Sequence, residues 1–301
     1  MRRIGIGYTL WPGDFELSDA GPWLDEAERL GVDIVEVPFF TTRVIVDAAV
    51  SERALARFAR PFEGRDLAVT AHAMLSINLM DAPERLPLHE AVLKANIAFA
   101  DRLGARRLVV HCGMTDAPEG PAREDAHARQ RESLARMGDV AAAHDVTLCV
   151  ETVWSHDGRA TALPSRLASE LRAVDHPRVG ATLDFAHVLL QCGIEGADFM
   201  EEVAAIAPLA AHLHLNDCFG VERDVAVALP PEAAAYGTGD LHLPLGWGGI
   251  PWERVLTEPA YPRGDLALVQ ELHPGFWPAL ADDVEEMRRL RERMERARDG
   301  A

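Results

Sequence analysis

The sequence predicts an α/β protein of the closed (β/α)8 TIM barrel type, and three observations carry that expectation. Eight short apolar or β-branched runs recur along the 301 residues. They are separated by longer stretches with helical periodicity, the first seven runs at spacings of roughly 30–40 residues. Most runs are continuously apolar and do not alternate, as expected of parallel strands covered on both faces. An open, doubly wound sheet is the competing architecture, and eight strand–helix repeats fit closure better.

The runs are, in order, Ile4–Thr9, Asp33–Val37, Leu67–His72, Arg107–His111, Val146–Glu151, Val179–Asp184, Ala211–Asn216 and Leu266–Glu271. Helical patterns lie between them over Ala20–Leu30, Glu52–Phe62, Leu88–Leu103, Arg123–His144, Pro164–Val174, Ala197–Ile206 and Trp252–Leu256. A charged helix over Pro278–Ala297 follows the last run. Gly31 and Gly104 each follow Arg-Leu and precede a strand, the position of a helix C-terminal glycine. The longest gap, residues 218–262, reads as an extended Gly- and Pro-rich loop after the seventh strand. Composition does not break along the chain, so residues 1–301 are expected to form a single barrel domain.

With 48% hydrophobic and 26% charged residues, the chain can build an ordinary core, which excludes disorder for most of its length. Thirty Lys and Arg stand against 48 Asp and Glu, a formal charge of −18. That balance disfavours nucleic acid as a partner, because binding a phosphate backbone relies on a basic surface. No apolar run approaches the roughly 18 residues of a membrane span. The N-terminal Met-Arg-Arg-Ile-Gly-Ile-Gly-Tyr enters a strand pattern at once, without a signal-peptide core. Cys112, Cys149, Cys192 and Cys218 lack CxxC spacing and read as buried free thiols in a reducing compartment. A cytoplasmic protein is expected, and a homo-oligomer is the general prior for a soluble enzyme.

A barrel places its chemistry at the C-terminal ends of its strands. The third to sixth runs end on His72, His111, Glu151 and Asp184, with His187 three residues beyond the last. The seventh carries His212 and His214 in His-Leu-His-Leu-Asn-Asp, the loop after it contains Asp240-Leu241-His242, and the eighth ends on Glu271. Each follows an apolar run, where an uncompensated charge costs several kcal/mol. Carboxylates and imidazoles converging on one mouth are most economically explained by bound cations. Mixed N/O ligation without thiolate suits Zn²⁺ or Mn²⁺, with Fe²⁺, Co²⁺ or Mg²⁺ as further candidates, one to three per chain.

His212 and His214, two apart on a strand, point the same way, so His212 is also expected to reach the substrate. Trp11, Phe39, Trp154, Trp247 and Trp277 are loop aromatics suited to a sugar face, and Arg43 and Arg159 are candidate phosphate or carboxylate contacts. His273, two past Glu271, is expected near the site, whereas His89, His127, His144, His156 and His176 read as solvated. The Asp282–Glu286 cluster and the basic stretch Arg288–Arg298 read as a solvated helix face.

In this order, the strand-end residues resemble those of the xylose isomerase-like barrel superfamily, which includes sugar isomerases and epimerases, inosose dehydratases and type IV apurinic endonucleases. The resemblance to its epimerase branch implies one metal on Glu151, Asp184, His214 and Glu271. It also implies that the two glutamates move protons on opposite faces of a substrate carbon. The resemblance to the endonuclease branch implies an enlarged site of nine ligands: His72, His111, Glu151, Asp184, His187, His214, Asp240, His242 and Glu271. Where that branch carries a DNA-inserting Tyr after its third-strand His, this chain has Leu75 and Ser76. The expected function is therefore a divalent-metal-dependent isomerase or epimerase, or a related dehydratase, on a small polyhydroxylated substrate. Glu151 and Glu271 would transfer the proton through a metal-held enediolate, and His187 would hold a substrate hydroxyl or a metal. A multinuclear zinc hydrolase and a non-catalytic metal-binding barrel are the alternatives.

Overall fold

A computed structural model describes residues 4–11, 16–155, 161, 163–222 and 230–300. Ten strands lie among the described residues: β1 Ile4–Thr9, β2 Ile34–Pro38, β3 Ile45–Val46, β4 Ala49–Val50, β5 Ala68–His72, β6 Arg107–His111, β7 Thr147–Glu151, β8 Val179–Asp184, β9 Ala210–Leu215 and β10 Leu266–Gln270. Eight of them close a parallel barrel in the order β1-β10-β9-β8-β7-β6-β5-β2, so the predicted architecture is observed. β3 and β4 form a separate antiparallel pair that the sequence reading did not anticipate, each being two residues long.

The period-two geometry of a strand divides the side chains between two environments. Ile4, Ile6, Tyr8, Val35, Val37, Leu108, Val110, Leu148, Val150, Leu213 and Leu215 face outward into the main apolar layer between strands and helices. Inside the barrel the buried apolar residues form only a small cluster of Ile34, Ala267 and Val269. The rest of the interior holds Val109, Cys149 and small and polar groups. Gly7 is one of them because a Cβ there would stand 2.0 Å from the Ile34 carbonyl oxygen. At the lower end, Arg107 Nε and Nη2 donate to the carbonyls of Ala211 and Asp265, at 2.8 and 2.9 Å, tying β6 to the foot of β9 and to the residue before β10.

The helices are α1 Gly21–Leu30, α2 Glu52–Ala59, α3 Leu86–Leu103, α4 Pro121–Ala143, α5 Pro164–Val174, α6 Phe185–Glu195, α7 Phe199–Ile206, α8 Pro230–Tyr236, α9 Trp252–Thr257 and α10 Leu280–Gly300. Gly31 and Gly104 end α1 and α3 with φ of 64° and 80°, the left-handed conformation expected of them. α6 was missed although His187, Gln191 and Glu195 recur on one face at helical spacing, because the rest of the segment is a short apolar run. It starts directly after β8, with Asp184 as its N-cap.

The segment expected to be a loop over 218–262 contains α8 and α9 and is organised by one carboxylate. Asp217 accepts from the backbone N–H groups of Cys218, Gly246 and Ile250 and from Trp252 Nε1, at 2.9–3.2 Å. The backbones of Asp217 and Leu243 also exchange two hydrogen bonds. Further out, Gly239 N–H donates to the Val221 carbonyl at 3.0 Å, which brings the two ends of the excursion over 222–238 together.

Some outer-layer expectations need correction. His127 is buried, and His89 is largely buried, 2.9 Å from Asp81; neither is solvated. Asp283 on α10 is buried and accepts from Leu245 N–H and Gln270 Nε2, so that cluster is not simply a solvated face. Arg291 on the same helix reaches Asp33 at 3.0 Å. All four cysteines are buried and free, as expected.

Candidate metal centre

The parallel register aligns the strand C-termini, and the polar residues at those ends meet in one volume. Glu151 is at its centre. Its Oε2 lies 3.1 Å from His72 Nε2 and 3.2 Å from His111 Nε2. Its Oε1 lies 3.0 Å from His214 Nδ1. His214 Nδ1 is in turn 3.7 Å from Asp184 Oδ2 and 3.4 Å from Glu271 Oε2. Two ligand sets therefore share the Glu151 carboxylate: His72, His111 and Glu151, and Glu151, Asp184, His214 and Glu271. In each, the donor atoms all lie within 4.8 Å of one another.

A third group borders the second. Asp240 Oδ2 is 3.2 Å from His187 Nε2 and 3.0 Å from His242 Nε2. Asp240 Oδ1 is buried and accepts no hydrogen bond. His187 sits here because Asp184 caps α6: Asp184 Oδ1 accepts the His187 backbone N–H at 2.8 Å, which fixes the first turn against the strand end. Asp184 Oδ2 accepts from Asn216 Nδ2 at 3.0 Å.

Burial opposes charge on every one of these groups; it prevails at Asp184, Glu271 and His111, and the neighbours overcome it at the others. Burial alone would raise Glu151, but His214, His111 and His72 hold it well below the usual carboxylate range. Burial would lower His214 and His187, but the surrounding carboxylates push both well above the ordinary imidazole value. His242 is raised to about 9, with Asp240 outweighing burial, and Glu271 is raised by burial to about 7. Such a cluster needs positive charge to be compatible with its burial. The donors are carboxylate and imidazole with no thiolate, and Asp240 offers a sealed, unused oxygen. The residues fit a divalent cation.

All nine predicted ligands are thus brought to the mouth. Among the predicted substrate contacts, Trp11 stacks edge-on against His242, with centroids 4.9 Å apart, and His273 lies 6.0 Å from Trp11. Trp154 is half-buried against the core, and Trp247 is 58% exposed beside Phe276. Arg43 projects outward and pairs with Glu16 at 2.9 Å. Phe39 is a correction: it is fully buried and stacked on Phe99, and it is Phe40 that meets His72, at 5.4 Å. Trp277 is another, packing on Tyr8 and Trp23 in the outer layer. Arg159 and His156 lie outside the described residues.

His212 is also corrected. It is fully buried one strand repeat below His214, where it faces Glu36 at 2.9 Å and cannot reach a ligand at the mouth. Glu36 itself was missed. Its signal was available: a lone carboxylate between Val35 and Val37 in a run covered on both faces, in phase with the interior.

The chain is thus a closed parallel barrel whose carboxylate and imidazole side chains converge at the strand C-termini, where they could hold a metal ion. The sequence matches the family described as xylose isomerase-like TIM barrel over residues 24–258, and the chain belongs to that family. No curated protein matches it by sequence. Solved structures of similar fold include a D-tagatose 3-epimerase-like protein, 18% identical, covering 99% of both chains at a TM-score of 0.71. They also include a xylose isomerase-like TIM barrel protein from Mycobacterium smegmatis in complex with magnesium, 17% identical over 98% of both chains at 0.67. D-allulose 3-epimerase from Methylomonas sp. in complex with D-allulose is 16% identical, covering 97% of this chain and 98% of its own at 0.65. At these identities the likeness is one of fold. Among the described residues, no helix is long and apolar enough to cross a membrane.

Proposed function

We propose that the protein is a divalent-metal-dependent epimerase or isomerase of a small sugar, sugar phosphate or polyol-derived carbonyl compound. The observation that carries this is the set Glu151, Asp184, His214 and Glu271, in which carboxylate oxygens of two glutamates lie 3.0 and 3.4 Å from His214 Nδ1. The family membership and the sugar-epimerase neighbours support the same reading.

Glu151, Asp184, His214 and Glu271 would hold the metal, which when bound acts as a Lewis acid on a carbonyl and its adjacent hydroxyl. One glutamate takes the proton from the carbon next to the carbonyl, and the other returns it to the opposite face. His187, held through its Nδ1 by the Thr152 carbonyl at 2.9 Å, presents Nε2 toward Asp240 and the mouth and would orient a substrate hydroxyl. Trp11 beside His242 would pack on the substrate's carbon face.

The test is turnover of ketopentoses, ketohexoses and their phosphates in D2O by protein loaded with Mn²⁺, Co²⁺ or Zn²⁺. One solvent deuterium at the epimerised carbon is expected, with the activity lost in Glu271→Gln. Turnover without deuterium incorporation would overturn the proton-transfer mechanism.

A second reading, a multinuclear metallohydrolase, is favoured by one specific observation: Glu151 bridges two donor sets, and His187, Asp240 and His242 adjoin them. Nicking of an abasic-site oligonucleotide, abolished by His72→Ala and by Glu151→Ala, would establish it over the first. A metal content of one ion per chain would exclude it.

A further inference from the structure

Below the metal centre, inside the barrel, stands a charged group that neither ligand set uses. Glu36 is fully buried near the middle of β2, where three side chains hydrogen-bond its carboxylate and the His212 ring stands close by. Thr9 Oγ1 donates to Oε1 at 3.0 Å and Thr70 Oγ1 to Oε2 at 3.4 Å, from the strands on either side. His214 Nε2 lies 3.2 Å from Oε1 and 3.4 Å from Oε2, reaching across the barrel from β9. His212 Nε2 is 2.9 Å from Oε2, though not aligned as a hydrogen bond. An ionised carboxylate only accepts, and hydrogen bonds from Thr9, Thr70 and His214 favour that state.

We infer that Glu36 is a positioning residue for the metal centre: it holds the Nε2–H of His214 and thereby leaves the Nδ1 lone pair free to bind a metal alongside Glu151, Asp184 and Glu271. The inference rests on the metal-centre reading above. The geometry of the imidazole carries it. The two ring nitrogens point to opposite ends of the ring, and in His214 one meets Glu36 at 3.2 Å while the other meets Glu151 at 3.0 Å. In a neutral imidazole, a carboxylate at one nitrogen fixes the proton there and leaves the other nitrogen free as a ligand. Ring rotation is blocked from below, since His212 packs edge-on at 4.9 Å, and His72 lies stacked at 6.0 Å. Thr9, Thr70 and His212 act one step further back, by holding Glu36.

The role is read by metal affinity, without turnover. Co²⁺ binding to metal-free wild type and to Glu36→Gln, followed by calorimetry and the visible Co²⁺ spectrum, should show a Kd weakened roughly 10–100-fold in the variant. The thermal midpoint of the metal-free variant distinguishes loss of positioning from loss of fold. Where Glu36→Gln does not fold, wild type labelled with ¹⁵N-histidine and loaded with Zn²⁺ decides the matter, because long-range ¹H–¹⁵N spectra assign the His214 proton. A proton on Nε2 with Nδ1 at the metal is expected. A variant Kd within threefold of wild type, or a metal on Nε2, overturns the inference while leaving the metal centre standing. A wild type that binds no Co²⁺ overturns both.

Discussion

Asp184 Oδ1 accepts the backbone N–H of His187 at 2.8 Å, while Oδ2 of the same carboxylate faces His214 Nδ1 at 3.7 Å. One side chain thus caps α6 and belongs to the proposed metal centre, and the two duties can be separated. Asp184→Asn keeps an oxygen for the cap, whereas Asp184→Ala removes it. Both should lose metal affinity, and the alanine variant should be less stable than the asparagine variant by about 1 kcal/mol. Chemical denaturation of the two metal-free proteins measures the difference.

Metal binding should be visible as stability. Mn²⁺ or Zn²⁺ at about 100 times its Kd should add ~2.7 kcal/mol by mass action, and a chelator should reverse the gain. Thermal melts across a metal titration check this, and a midpoint that does not move with metal would contradict the site.

Asp217 should be a stability residue and not a catalytic one. In Asp217→Asn one acceptor oxygen becomes a donor facing donors, leaving at least one buried N–H without a partner, at a cost of about 1–3 kcal/mol. Hydrogen exchange should accelerate at Gly246 and Ile250, whose amides it holds. Exchange within β7 and β8 should be unchanged.

Stability should fall as pH rises toward neutrality, in part through Asp283. Burial raises its carboxyl to about 7, above the ordinary value of 3.8. Between those two values the folded chain keeps a proton that the unfolded chain has released, so each step up in pH favours unfolding, and the contribution is gone above about 7. Asp283→Asn cannot ionise. It should narrow the difference in thermal midpoint between pH 5 and pH 8, by an amount worth on the order of 1–3 kcal/mol. An unchanged difference would remove Asp283 from the account.

The barrel was legible in the sequence because parallel strands covered on both faces leave continuous apolar runs, and Ile4–Thr9, Arg107–His111 and Val179–Asp184 match the observed strands end for end. The convergence of polar residues at the strand ends was legible for the same reason: a charge that closes an apolar run stands out. Glu36 did not, because it sits within its run and only the strand's inward phase marks it. α6 was hidden because only His187, Gln191 and Glu195 break a short apolar run, and α8 and the β3–β4 pair by their shortness. Phe39 and Phe40 show the limit most sharply. They are adjacent and chemically identical, yet one is core and the other meets His72, a choice made by the chain's turn after β2.

The excursion over 222–238 leaves and returns through the hydrogen bond between Val221 and Gly239. A segment whose flanking residues are already joined is a natural graft point. Its length can change at little cost, because closure entropy grows only slowly with loop size. The ligand-bearing strands lie outside it, so lobes of other lengths and chemistries could be installed there as cassettes over an unaltered metal centre.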